Sequence, residues 1–481
     1  MFKYFGLTLI VCLVACILGF LSSVRKAEAD DNPTVPVSPG NSIQSLVDQN
    51  PEGTHFTLKA GIYRLQQVRP KNGDTFTGEN GAVLNGSELL AGFAFNGSAW
   101  VLNGQSRRAP QRGQCLPASP ACSSSEDLFL DDVLLQPVSS VGSLAPGRWF
   151  FDYANGRIMM ADNPTGHKVE LSSAQSAFIG AASDVTIENL TIEKYACPAQ
   201  LGAIHARSGD TPSSNWTIRD NLIRFNHGSG IRVGNGTKAL RNRLLSNGQL
   251  GIGDIGNALL IDNNEIGWNN YAGFDPAWEG GGAKFLRSRG AIIRYNYSHD
   301  NNGTGLWTDT DNVNTLYEFN KVYNNSGPGI QHEISYEAEI RHNDVRHNGT
   351  GGDAWAWGSQ ILVQNSRGVQ VHDNYVEVGS PVGNGIFLVQ QNRGRGEFGA
   401  YFTVNNFIHH NEVVYLGSNG RSGAVADYAP ATMFAGNNRF DSNGYRGPGQ
   451  DLARWEWNGR LGWQGFQGQG QDVNGWFKVQ P

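Results

Sequence analysis

Nine asparagines in the second half of the chain share one local frame: Asn221, Asn242, Asn264, Asn296, Asn320, Asn343, Asn374, Asn411 and Asn438. In most of them an apolar residue stands three positions before and another two positions after, as with Ile218 and Ile223, Ile261 and Ile266, or Val371 and Val376. The intervals are 21, 22, 32, 24, 23, 31, 37 and 27 residues. A repeat of roughly 20 to 50 residues with a variable period means stacked units that share one core, with insertions confined to loops. Such a repeat decides which residues lie on a common face.

A second mark keeps the same register. Ten residues after the asparagine stands an apolar residue preceded by glycine in five coils: Gly230-Ile231, Gly251-Ile252, Gly273-Phe274, Gly305-Leu306 and Gly329-Ile330. Later coils stretch to Gly385-Ile386 and Gly423-Ala424. Each coil reads as a strand, a tight turn at the asparagine, a second strand, a loop, and a glycine-led strand. Asparagine tolerates left-handed backbone angles and bonds to its own main chain, which suits a turn. Stacked coils would also let each amide bond to the next. Period-two alternation with β-branched residues marks strands rather than helices.

These repeats resemble the right-handed parallel β-helix of the pectate-lyase-like superfamily, over residues 40–480. The opening "NSIQSLVDQNPEGTHFTLKAGIYRL" is similar: a short cap helix with Ile43, Leu46 and Val47 on one side, a strand, then Ala60-Gly61-Ile62-Tyr63. The stretches WEGGGAK (278–284) and HEISY (332–336) belong to the same resemblance. The expected fold class is therefore all-β, a parallel β-helix solenoid with an N-terminal cap helix and a β-rich insertion. One architecture of this kind hosts many activities, so function has to be argued from a site.

The expected organisation has five parts. Residues 1–29 read as a signal peptide or membrane anchor: Lys3 precedes an apolar run from Tyr4 to Val24, and Ala27-Glu28-Ala29 forms an A-x-A cleavage site. Residues 30–84 are the cap and first coils, and 85–170 a β-rich insertion with turns at Asn155-Gly156 and Pro164. Residues 171–445 carry the regular coils. Residues 446–481, rich in Trp and Gly, cap the open end, where unpaired strand edges would otherwise be exposed. The leader implies a secreted, periplasmic or cell-surface protein, touching a membrane only through that segment, and the rest reads as a monomer.

The net charge is −6, and about −8 once Lys3, Arg25, Lys26 and Glu28 leave with the leader. An acidic surface argues against nucleic acid as a partner. Cys115 and Cys122 flank a polar loop and can pair in an oxidising compartment. Cys197 is left as a buried free thiol, and no zinc-ligand spacing exists.

In the superfamily that the repeats resemble, the working face usually follows the longest loops, here the glycine-led strand. With the apolar residue after glycine facing the core, the first and third residues beyond it face outward. The third-residue column reads Gly234, Ile255, Asp309, Glu333, Gln364 and Asp427; the first-residue column reads Arg232, Gly253, Trp307, Gln331, Leu362 and Phe387. Taking Ala283 as the inward residue sets Lys284 beside Trp307, with Glu279 in the loop entering that strand. Stacked strands lie about 4.8 Å apart, so Asp309 and Glu333 become neighbours. Two carboxylates so close form an acid/base couple, half of a calcium site, or merely a solvated polar ladder. The catalytic candidates are Asp309, Glu333, Glu279 and Lys284. Trp278, Trp307, Trp355 and Trp357 fall in the same coils and offer faces on which a sugar ring stacks; with Gln331 and Gln364 they are the candidate substrate contacts. His332 should point inward. The loop with Arg393, Arg395 and Glu397 reads as a solvated turn.

The function that follows is action on a polysaccharide, with glycoside hydrolysis by paired carboxylates placed first. Elimination by a polysaccharide lyase with a Lys or Arg base is the alternative, as is a non-catalytic glycan-binding or structural β-helix. The spacing of Glu279 and Lys284 resembles that of β-helix alginate and chondroitin lyases, but the matching downstream arginine is not evident. No metal ligand set is assigned; calcium is the only cofactor the carboxylates suggest.

Overall fold

The computed structural model describes residues 33–106, 111–352, 354–379, 381–449 and 452–480. The targeting segment expected over residues 1–29 lies outside them. Among the described residues no helix is long and apolar enough to cross a membrane.

Three long sheets run the length of the molecule. The first has 13 strands, from Thr34–Val37 to Arg439–Asp441; the second also has 13, from Gly61–Arg64 to Trp476–Val479; the third has 12, from Phe178–Ile179 to Arg460–Leu461. Within the coils every strand pairs in parallel with its counterpart in the next coil, so β-branched side chains stack in columns. Ile187 pairs with Ile218, and Ile261 with Ile293, all inside a continuous core. The helix Ile43–Gln49 covers the first coil with Ile43 and Val47 buried, its start capped by the Ser42 hydroxyl. At the other end, Trp455, Trp463 and Phe466 are buried against the last coil, with the Trp455 and Trp463 rings 5.0 Å apart.

The asparagines form the expected amide ladder at the corner between the first two sheets. Asn242 Nδ2 donates to Asn264 Oδ1, Asn264 to Asn296, and Asn296 to Asn320, each at 3.0 Å. Two details differ from the sequence reading. The left-handed residue is the one before each asparagine: Asp220, Arg241, Tyr295, Phe319 and His342 have φ between 52° and 59°. The asparagine is selected for its buried amide, not for its backbone angle. Moreover, Asn411 hands on to Asn443, whereas Asn438 accepts from Asn406 at another corner. A second ladder runs five residues downstream, Asn226 to Asn247, Asn269, Asn301, Asn325 and Asn348, at the corner between the second and third sheets. These amides satisfy turn N–H and C=O groups that a buried corner would leave unpaired.

Between residues 85 and 178 the chain leaves the solenoid, and it returns to it in register. Thr75–Gly78 pairs directly with Thr186–Glu188, and Ala82–Asn85 with Thr191–Glu193. The excursion folds into a four-stranded and a five-stranded sheet around Leu128, Trp149, Ile158 and Leu171. It is fastened to the coils by charge: buried Lys194 lies 2.5 Å from both Asp132 and buried Glu170. Cys115 and Cys122 form a disulfide in its outer loop, and Cys197 is a buried free thiol whose pKa burial pushes up to about 12. Gly273-Phe274, one of the register marks, is not part of the third sheet. It sits in a loop against that disulfide segment, and Gly281–Leu286 supplies the strand instead.

Candidate functional site

The third sheet presents two outward columns. One runs Arg232, Gly253, Lys284, Trp307, Gln331, Leu362 and Phe387. The other runs Ile255, Leu286, Asp309, Glu333, Gln364 and Val389. The strands Thr304–Asp309 and Ile330–Glu333 therefore bring Asp309 and Glu333 together across one rung. Asp427 falls outside this column: the strand Ser422–Ala426 is shifted by two residues, Val425 pairs with Val389, and Asp427 accepts from Gln391 instead.

A cleft of about 420 Å³ opens over this rung, lined by Trp307, Asp309, Gln331, Glu333, Trp357, Gln364, Gln391 and Arg393 together with Pro276, Ala277 and Thr304. Six of the ten sequence candidates thus meet in one cavity: Asp309, Glu333, Trp307, Gln331, Gln364 and Trp357. Amides hold the floor in place. Thr304 Oγ1 donates to Gln331 Oε1 at 3.2 Å, Gln331 Nε2 to Glu333 Oε2 at 3.0 Å, and Gln364 Nε2 to Gln391 Oε1 at 3.0 Å.

Lys284 lies behind this wall rather than in the cavity. Its Nζ is 2.9 Å from Asp309 Oδ2, donates to the Trp278 carbonyl at 2.8 Å, and sits 3.7 Å from the centre of the Trp307 ring. With only 5 % of its surface exposed, it holds Asp309 and Trp307 from behind the wall. Trp278 serves the site through that carbonyl, since its ring packs on Phe274. Glu279 belongs to a neighbouring cluster: Arg232 Nη1 is 2.9 Å from Oε1 and Gln200 Nε2 is 2.6 Å from Oε2. The ion pair with Arg232 turns it away from the Asp309–Glu333 rung. Trp355 lines a second cavity, its ring 5.7 Å from that of Trp357.

The sequence reading took the loop with Arg393 for a solvated turn, and for Arg393 the structure differs. Its loop folds back so that the guanidinium pairs with Glu333. Even so, Glu333 has its pKa raised above the ordinary carboxylate value. Burial is the largest cause and the Asp309 charge the next, and together they outweigh Arg393 and Lys284. His332 is core, as expected: Thr308 Oγ1 is 2.7 Å from Nδ1, the Tyr336 carbonyl is 3.0 Å from Nε2, and burial lowers its pKa to about 4. Calcium takes six to eight oxygens. Here the two carboxylates already face Lys284 and Arg393, and no group of three or more His, Cys, Asp or Glu side chains able to hold a metal occurs among the described residues. Two carboxylates that each face a cation leave little of the negative oxygen set that calcium needs.

The sequence profile of a family described as "Right handed beta helix region" matches residues 210–367. No curated protein matches the chain. A solved structure described as the complex of XylC with xylose is similar at a TM-score of 0.64 and 15% identity, covering 86% of this chain and 83% of that one. The A-module of the Azotobacter vinelandii mannuronan C-5 epimerase AlgE4 gives a TM-score of 0.47 at 12% identity, over 84% of this chain and 88% of that one. A mannuronic acid specific polysaccharide family 6 lyase from human gut microbiota gives 0.42 at 11% identity, over 93% and 91%. The three parallel sheets, the family match and the first of these likenesses establish the chain as a right-handed parallel β-helix.

Proposed function

We propose that this chain is a carbohydrate-active protein of the cell envelope or exterior that hydrolyses a polysaccharide in the Trp307–Glu333 cleft. One observation carries the reading: two carboxylates stand on adjacent rungs of one cleft in different surroundings. Glu333 is buried, and burial and the Asp309 charge raise its pKa in spite of its Arg393 partner, which suits a proton donor; Asp309 is ion-paired with Lys284. Such a split assigns acid and nucleophile within a carboxylate pair. Trp307 and Trp357 border the same cavity and supply apolar faces, with amides to orient hydroxyl groups. That a chain of similar fold was solved with xylose agrees with a sugar ligand. The Cys115–Cys122 disulfide agrees with an oxidising compartment.

In this reading Glu333 protonates the glycosidic oxygen, and the leaving sugar departs as an alcohol. Asp309 attacks the anomeric carbon to form a glycosyl ester. Water then cleaves that ester, with Glu333 taking its proton. The two strands lie one rung, about 4.8 Å, apart; carboxyl groups about 5–5.5 Å apart go with retention and about 6.5–9.5 Å with inversion, and retention is the outcome this reading takes. The test is a polysaccharide panel read for new reducing ends, for absorbance at 235 nm, and by proton NMR for the first anomer formed. Reducing ends with retained configuration and no absorbance support the proposal. An unsaturated product absorbing at 235 nm would replace hydrolysis with elimination.

A further inference from the structure

Beyond the Trp355–Trp357 pair lies a second cavity, of about 440 Å³, whose chemistry the cleft does not use. Three arginines line it: Arg421, Arg454 and Arg460. Arg454 is only 1 % exposed. Its guanidinium donates to the carbonyls of Asn419, Gly417 and Pro448 at 2.8, 2.7 and 2.9 Å. Carbonyls satisfy N–H groups but do not cancel a full charge, and no carboxylate among the described residues pairs with Arg454. Its Nε is buried without a partner, and burial pushes its pKa below the ordinary arginine value. A buried cation without a counter-charge is costly. Arg421 is paired with Glu456, while Arg460 is exposed and has no ion-pair partner among the described residues. Among the described residues, three cations meet one acid at this pocket, on a chain of net charge −6.

We propose that this pocket binds the anionic group of an acidic glycan, a uronate carboxylate or a sulfate ester, and so selects an acidic chain for the neighbouring cleft. The inference rests on the cleft reading for the rest of the chain's path. The strand bearing Gln331 and the residue Arg421 are three rungs apart, about 14 Å at 4.8 Å per rung. Trp357 borders the cleft and Trp355 the pocket, so one extended ligand crossing both indoles reaches both. Arginine suits the role because its planar fork pairs with carboxylate and sulfate oxygens.

The experiment measures binding of a galacturonate hexamer, a sulfated carrageenan hexasaccharide, neutral xylohexaose and inorganic sulfate. The proteins are the parent, Arg460→Gln and Trp307→Ala. Arg460 is exposed, so its variant leaves the Arg454 packing untouched. At least one acidic hexamer should bind the parent about tenfold more tightly than xylohexaose, and Arg460→Gln should remove most of that difference while leaving the neutral chain unaffected. Which acidic hexamer responds separates carboxylate from sulfate ester. Equal affinity for acidic and neutral chains, or an unaltered Arg460→Gln, overturns the proposal. So does tight sulfate binding without preference for an acidic hexamer, which would make the pocket an ion site unrelated to glycans. If Trp307→Ala leaves every affinity unchanged while Arg460→Gln weakens acidic binding, the pocket stands and the cleft reading falls.

Discussion

Glu333 and Arg393 form an ion pair across the cleft although 60 residues separate them in sequence. Glu333 comes from the third sheet; Arg393 comes from the loop after the strand Asn384–Gln390, two coils further on. The arginine therefore sets how strongly Glu333 holds its proton, without itself belonging to the strand that carries the acid.

Replacing Arg393 with Gln removes a charge that lowers the Glu333 pKa, so that pKa should rise further. An acid that must be protonated to act loses activity as pH rises through its pKa. The alkaline limb of kcat/KM should therefore move to higher pH, by about one unit for an opposite charge at contact distance. A pH profile of variant and parent measures this. A limb that stays in place would mean that Glu333 is not the proton donor.

Asn320 tests the ladder. Its Nδ2 donates to the Ile293 carbonyl at 2.8 Å and to Asn343 Oδ1 at 2.9 Å, and its Oδ1 accepts from Asn296, all within a fully buried corner. Asn320→Ala leaves these groups unpaired and should cost about 1–3 kcal/mol. Thermal melts of variant and parent decide it; an unchanged midpoint would show that the amide contributes nothing to stability.

The insertion carries a pH-dependent fastening at His227. This ring is fully buried with Nδ1 3.0 Å from Asp127 Oδ2 and Nε2 2.8 Å from the Cys122 carbonyl. Both oxygens only accept, so the ring is bonded on both sides when it is an imidazolium. Burial pulls its pKa down, but the Asp127 charge and the two hydrogen bonds raise it above 6.5 in the folded state. A raised folded pKa gives stability that is fully present below the unfolded value and is lost as pH rises through the folded one. Hydrogen exchange at residues 111–127 should therefore quicken as pH rises through that raised pKa, after correction for its intrinsic pH dependence. In His227→Gln the corrected rates should be flat with pH. The same pH dependence in the variant would place the switch elsewhere.

Much of this was legible in the chain and some was not, for physical reasons. Column membership followed from strand alternation, so Asp309, Glu333 and Trp307 were placed correctly from Gly305-Leu306 and Gly329-Ile330 alone. The second amide ladder was also readable, since Asn226, Asn247, Asn269 and Asn301 each lie five residues after a first-ladder asparagine. Asn438 was misplaced because it and Asn443 both have apolar residues in the defining frame, and only tertiary stacking tells the two corners apart. Glu279 and Arg393 were misjudged for a related reason. A loop residue's partner depends on the path of the loop, which no strand period encodes, and Arg232 captured one while Glu333 captured the other.

The proposed role of Glu333 is to transfer the proton that breaks a glycosidic bond. It is tested most directly by reducing-end release from the polysaccharide panel with the parent and Glu333→Gln, which keeps the shape of the side chain and removes its acidity. The parent should release reducing ends, and the variant should melt like the parent while turning over about 10²- to 10⁴-fold more slowly. Undiminished turnover by Glu333→Gln, or no release by the parent from any polysaccharide of the panel, would rule out that role.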